Sequence, residues 1–440
     1  MEKFERNTTQ QLAKRLREPV RRIIVVAGPR QIGKTTAVRQ ALGKQRLASY
    51  RFLAVDAPDE DHYSGSDFSM DVGTTRTFAK NTPRDSAWLI DKWQAARREA
   101  QTWHLQAHTI PVQPTDIRTP FVLVFDEIQL VANWSSVVKG LWDQDRAQDL
   151  PMHVVVLGSA PLLVQNGLSE SLMGRFELLR MAHWSYSEMH DCFGFTLDQY
   201  VYFGGYPGPA PWVLQGNEDR WRDEVIHSLI EPNLVKDILA LARIEKPAVL
   251  RQLFQLGCTY SGQIVALTKL LTQLNDAGNT TTLTHYLQLL RSAGLLAGLE
   301  KYAAQAIRQR AAPPKLNVLN TAFVSVYSGK TFTQARADHG FWGHLVESSI
   351  GAHLLYTTSD NIQIAYWRES PHEVDFVVHQ GDRVAALEVK SATHDLSARK
   401  GLRAFAEKHP KQTVRTEVLG GDDFALAEAL TQPASHWLPE

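Results

Sequence analysis

The chain has 440 residues, 44% hydrophobic and 21% charged, enough for about three domains with real cores. Its 47 basic residues balance its 47 acidic ones, which excludes a global charge that attracts nucleic acid and leaves any such contact to local patches. Cys192 and Cys258 are the only cysteines and form no metal-spaced pair, no apolar stretch approaches the ~20 residues of a membrane span, and the first residues lack a signal-peptide core; the expectation is a reduced, soluble, cytoplasmic protein with no membrane partner.

Residues 3–19 are polar with Leu12, Leu16 and Val20 at helical spacing, a surface helix. The apolar run 23–27 then leads as a buried strand into Gly28-Pro29-Arg30-Gln31-Ile32-Gly33-Lys34-Thr35-Thr36, and residues 35–42 lead out as a helix. The loop reads G-x-x-x-x-G-K-T, the pattern that cradles phosphates. Gly28 and Gly33 let backbone N–H groups turn inward around a polyanion, and the helix N-terminus adds partial positive charge beneath it. Lys34 would reach the β- and γ-phosphates of ATP, and the Thr35 hydroxyl would ligate Mg²⁺. The bland alternative, a Gly-rich turn, leaves the strand–loop–helix setting unexplained.

Residues 51–55 are a second strand, 57–83 a long loop rich in Asp, Ser, Gly and Thr, and 85–105 a helix. The runs 121–125 and 153–157 are continuously apolar, as strands buried on both faces require, and 176–183 is a fifth strand. Strands alternating with helices behind a P-loop specify an α/β fold with a parallel, helix-covered sheet. Asp126 and Glu127 close the strand 121–125: Asp126 to hold Mg²⁺ through water, Glu127 to polarise the attacking water, or, more plainly, a strand-end pair capping the next helix. Ser159 follows the strand 153–157 where a polar side chain can sense the γ-phosphate, though a loop-starting Ser is common. Arg175 is open to two readings, an arginine finger acting on a neighbouring subunit's nucleotide in a homo-oligomer, or a local ion pair.

Beyond residue 208 the apolar period turns helical, over 218–242, 246–258, 264–274 and 281–293, followed by a strand-like 295–302. Three short helices and a strand suggest a winged helix-turn-helix, with 281–291 as recognition helix: Leu283, Leu287 and Leu290 inward, Thr284, His285, Gln288 and Arg291 outward toward DNA. Lys301, Arg308, Arg310 and Lys315 form a basic stretch after it. Such modules also serve as protein–protein spacers. The pair Pro313-Pro314 marks a boundary, and mixed α/β pattern returns with strands near 362–368, 373–379 and 384–391. The expected domains are an ATPase core (1–200), a helical lid (201–245), the winged helix (246–312) and a C-terminal α/β domain (313–440).

That last domain holds Glu347, Asp375, Glu388 and Lys390. A two-residue turn at Gly381-Asp382 sets a hairpin whose paired numbers sum to 763, which places Asp375 opposite Glu388 at ~5 Å, with Lys390 on the same face. Opposed carboxylates on an apolar hairpin repel unless a cation lies between them, so Mg²⁺ or Mn²⁺ is the expected occupant, with Glu347 as a further ligand and Glu388 and Lys390 in the catalytic set. An Asp followed by Glu-x-Lys resembles the metal site of PD-(D/E)xK nucleases, whose fold survives in some chains without activity.

Taken together, GPRQIGKTT, FDEIQLVANW, LGSAPLL with LMGR, YFGGYPG, VKDI and EVDFVV with LEVKSA fall in an order that resembles the prokaryotic AAA-type ATPases carrying a C-terminal domain of unknown function. The resemblance implies an AAA-type core, a winged-helix segment and a domain like the restriction-endonuclease fold. Three features depart from it: a longer 57–118 segment, Ala160 in place of a second hydroxyl, and Asn320 in place of Asp. The functional expectation is an ATP-dependent protein acting on DNA with a metal-dependent nuclease domain. The rival is an ATP-dependent switch that recruits protein partners and keeps an inactive nuclease fold.

Overall fold

A computed structural model of the chain describes residues 4–44, 49–56, 84–107, 120–158, 172–234, 238, 244, 246–275, 278–303, 312–359, 361–391, 398–420 and 423–440. The loop expected over 57–83, Ser159, Ala160, Arg308 and Arg310 lie outside the described residues. The chain divides into two compact units, 1–181 and 182–440.

In the first unit, five parallel strands stand in the order β2-β3-β4-β1-β5. They are β1 (Ile23–Ala27), β2 (Tyr50–Ala54), β3 (Phe121–Asp126), β4 (Met152–Gly158) and β5 (Phe176–Arg180). β1, β3 and β4 are buried along their whole length, which is why they read as unbroken Val/Ile/Leu/Phe runs rather than alternating ones. Helix α1 (Asn7–Arg15) packs on α2 (Lys34–Gly43), with Thr9 Oγ1 donating to Gln40 Oε1 at 3.3 Å. Helix α3 (Ser86–Ala107) covers one face of the sheet through Trp88, Leu89 and Trp93, and the Trp93 ring stacks on Phe125 at 5.9 Å. Its neighbour α4 (Trp134–Ala147) brings Asp145, whose buried carboxylate accepts from Trp93 Nε1 at 2.7 Å and from Arg97 Nε at 2.5 Å, so the charge is paired rather than orphaned. Because β1 is flanked by β4 and β5, and β3 lies just beyond β4, the loops after β1 and β3 open at the same carboxyl edge. That edge is where open α/β sheets hold ligands.

The second unit begins with α5 (Tyr186–Phe193) and α6 (Leu197–Phe203), each started by a capping box, at Ser185–Glu188 and Thr196–Gln199. Short helices α7 (Ala210–Leu214) and α8 (Glu218–Glu224) follow, and the helix expected over 218–242 is not uniform: it switches at Val225–Ile230 to π-type winding. Next come α9 (Pro247–Thr259), α10 (Leu267–Gln273), α11 (Thr280–Ser292) and the antiparallel pair β6 (Leu296–Leu299) and β7 (Lys315–Val318). Pro313 and Pro314 stand immediately ahead of β7, the strand that pairs back to β6. Helices α12 (Ala322–Ser328), α13 (Phe332–Ala337) and α14 (His339–Thr357) lead into a four-stranded sheet ordered β11-β10-β9-β8. Its strands are β8 (Gln363–Glu369), β9 (His372–Gln380), β10 (Arg383–Val389) and β11 (Thr413–Leu419), with α15 (Ala398–Lys408) between the last two. β8, β9 and β10 form an antiparallel meander, and β11 runs parallel to β10 as a helical crossover requires. The β9–β10 register is the expected one: Gln380 pairs with Arg383 and Phe376 with Leu387.

Candidate functional site

The P-loop is built from its backbone outward. Gly28 follows β1 so tightly that a Cβ there would lie 2.2 Å from the Met181 carbonyl and 2.8 Å from Ile32 Cδ1. Gln31 and Gly33 take left-handed backbone, at φ 56° and 91°, which turns the loop into α2 with Gly33 as its N-cap residue. Pro29 and Ile32 are buried, Arg30 is half-buried, and Thr36 is exposed in the first turn of α2. Lys34 Nζ donates to the carbonyls of Gly28 (3.0 Å) and Pro29 (2.6 Å) and is itself only 7% exposed. Arg6, ahead of α1 and buried, donates from Nη1 to Ile32 O at 3.2 Å. Sequence reasoning passed over it, because nothing in a lone Arg near the chain start marks it as a P-loop brace.

Thr35 and Asp126 are 91 positions apart, yet Thr35 Oγ1 donates to Asp126 Oδ2 at 2.7 Å. Burial raises the Asp126 pKa and the bond from Thr35 opposes that rise; a nearby cation would favour the charged form. Glu127 has left-handed backbone at φ 55°, turning the chain into a 3₁₀ turn, Ile128–Leu130, and its carboxylate accepts from Gln129 Nε2. Gln129 is a second residue that the sequence reading did not single out. This arrangement fits a nucleotide-bound Mg²⁺: a hydroxyl and a buried carboxylate already share one position at the start of α2. Thr35 and Asp126 would hold the ion, which supplies charge neutralisation at the phosphates.

Arg175 stands one residue ahead of β5. Its Nε and Nη2 donate to the two oxygens of Asp143, at 2.7 and 3.1 Å, a bidentate pair within the chain.

In the second unit, α11 buries Leu283, Tyr286, Leu287, Leu289 and Leu290 and exposes Thr284, His285, Gln288 and Arg291. Lys315 corrects the expectation placed on it. Assigned to a surface basic stretch, it is 0% exposed, and its Nζ lies 2.5 Å from Glu347 Oε1, 3.3 Å from Asp375 Oδ1 and 3.1 Å from Asp375 O. Alternation along 315–318 put Lys315 and Asn317 on one face, and a helix behind that face was the missing fact. Asp375 Oδ2 accepts from Val389 N at 2.9 Å, and Lys390 Nζ pairs with Glu388 Oε1 at 3.1 Å. Burial pulls the Lys315 ammonium down, but Asp375 and Glu347 more than offset it and hold it charged. Burial, and Asp375 after it, push both Glu347 and Glu388 up. The cation that the structure places among these carboxylates is Lys315, between Glu347 and Asp375, and Asp375 accepts on both oxygens, from Lys315 and from Val389 N. Among the described residues no group of three His, Cys, Asp or Glu side chains is disposed to hold a metal. Asn320 is buried and its Oδ1 accepts from Ala322 N at 3.1 Å, a backbone-holding role that needs no charge.

Residues 20–190 match the AAA domain family, residues 194–333 a domain of unknown function (DUF8612), and residues 342–430 another (DUF4143). No curated protein matches the chain. Among solved structures, the Walker-type ATPase PABY2304 of Pyrococcus abyssi is 13% identical at a TM-score of 0.44, covering 74% of this chain and 96% of that one. The Aeropyrum pernix Orc1 protein in complex with DNA is 11% identical (TM-score 0.26; 75% of this chain, 93% of that one). A Thermotoga maritima RuvB variant is 14% identical (TM-score 0.26; 66% and 88%). The chain carries an AAA-type P-loop ATPase domain followed by two domains of unassigned function, and among the described residues no helix is long and apolar enough to cross a membrane.

Proposed function

We propose that the protein is an ATP-driven switch acting on DNA, in which ATP binding and hydrolysis at the P-loop set the state of a DNA-contacting module built on α11. The observation that carries the reading is the 2.7 Å bond between Thr35 and Asp126, which unites the Mg²⁺ ligands of two distant motifs. Lys34 and the loop amides bind the β- and γ-phosphates, and Glu127 orients and polarises the attacking water. Ser159 is assigned as γ-phosphate sensor from its place after β4. The DNA half is supported by the order α9–α10–α11–β6–β7, that of a winged helix-turn-helix, and by the exposed Thr284, His285, Gln288 and Arg291 on one face of α11.

The order α14–β8–β9–β10–α15–β11, with Asp375 and Glu388 on adjacent strands and Lys390 just past the end of β10, supports a nuclease-like fold for the last domain. Metal-dependent cleavage there is the rival reading, and the Lys315 ammonium against Glu347 and Asp375 weighs against it. The domain is read as a scaffold. A homo-oligomer with Arg175 acting in trans requires the Arg175–Asp143 pair to open and is not part of the reading.

Duplex-DNA affinity measured by fluorescence anisotropy, with and without ATP, tests the switch. ATP is expected to change the affinity by ~5- to ~150-fold, the usual range of coupling between sites. Glu127→Gln should hold the ATP-state affinity while wild type relaxes as ATP is consumed. One affinity under all conditions overturns the reading.

A further inference from the structure

The geometry points to Lys315 as the resident cation of the C-terminal carboxylate centre, lying between Glu347 and Asp375, so that this centre binds no divalent metal and instead clasps β7 to α14 and β9. Lys315 comes from outside the four-stranded sheet. Its strand pairs with β6 through Leu299, and its own backbone also bridges to Ile264, so both sides of the strand are tied at this residue. From that fixed base the side chain reaches Glu347 on α14 and Asp375 on β9, and Nζ lies 4.9 Å from the centre of the Phe376 ring.

Two features make this a resident group rather than a swinging one. The ammonium is 0% exposed, so leaving the site means dragging a charge through the core. It donates to Asp375 Oδ1 and Asp375 O and forms an ion pair with Glu347 Oε1. A Mg²⁺ ion needs near-octahedral oxygens at about 2.0–2.1 Å and several waters, and it cannot share that volume with the ammonium. The remaining pair, Glu388 with Lys390, is likewise balanced by a lysine. This centre thus supplies its own positive charges, from β7 and from the residue that follows β10. The clasp is independent of the P-loop, and its failure leaves the ATP switch untouched.

The experiment uses the full chain without nucleotide and Mn²⁺ alone as probe. Mn²⁺ titrations followed by electron paramagnetic resonance should be the same for wild type and Asp375→Asn, since the amide keeps the acceptor for Val389 N while removing the charge a metal needs. Melting of Lys315→Met should fall by about 10 °C, because two partly buried carboxylates lose their partner. Lys315→Met/Glu347→Gln, which removes one charge of each sign, should recover at least half of that shift. A Mn²⁺ site in wild type that Asp375→Asn abolishes overturns the proposal, as does a Lys315→Met protein that melts like wild type. Should Lys315→Met fail to fold, the comparison of wild type with Asp375→Asn still decides.

Discussion

The two glycines that frame the P-loop should respond differently to one methyl group, and the structure says in which order. At Gly28 a Cβ would sit 2.2 Å from the Met181 carbonyl, and that carbonyl cannot retreat easily, because Met181 N donates to Ala27 O at 2.8 Å. Gly28→Ala must therefore displace the loop from the end of β1, at a cost of about 3 kcal/mol, the upper part of the usual overpacking range. If that cost falls on the nucleotide-ready loop, ATP binding weakens by ~100-fold or more. At Gly33 a Cβ meets nothing within 4 Å, and the penalty is only the left-handed backbone at φ 91°. For Ala that strain is ~1–2 kcal/mol, or ~5- to ~30-fold in affinity. Titration of a fluorescent ATP analogue against both variants, with thermal melting as a folding control, gives the comparison. Gly28→Ala binding like wild type, or Gly33→Ala proving the weaker binder, would refute the packing argument.

Buried His153, 3% exposed with Nε2 3.1 Å from Glu18 O, should make the first unit acid-sensitive. Burial pushes its pKa down to about 4 against an ordinary 6.5, so the unfolded chain takes up a proton first and stability is lost as pH falls from ~6.5 toward ~4. The loss is ~3 kcal/mol at most, and urea melts at a series of pH values should show a correspondingly flatter profile for His153→Gln; parallel profiles would sink the assignment. On α11, Arg291→Ala should weaken binding to all DNA sequences about equally and reduce the salt slope by about one charge, as for a phosphate contact. Unchanged affinity would return α11 to a protein–protein role.

The nucleotide site was legible because its signals are local: two glycines at fixed spacing, an apolar run before them, a helical run after, and a carboxylate pair at the end of another buried strand. The β9–β10 register was legible for the same reason, since a two-residue turn fixes every later pairing. What the sequence hid lay in side chains whose partners come from distant segments. Lys315 reads as one more surface base until α14 and β9 are placed behind it, and Arg6 reads as a helix-flanking charge until α1 lies on α2. The switch to π-type winding at Val225–Ile230 left no mark that apolar periodicity can register, because wider winding shifts the period without breaking it.

The account rests on ATP being hydrolysed at this P-loop with Glu127 as the residue that activates water. The most direct measurement is phosphate release by wild type and Glu127→Gln under Mg²⁺–ATP, with ATP affinity measured in parallel. Equal affinity with hydrolysis slowed by ~10²-fold or more in Glu127→Gln is the predicted result. Hydrolysis by Glu127→Gln at the wild-type rate would contradict it.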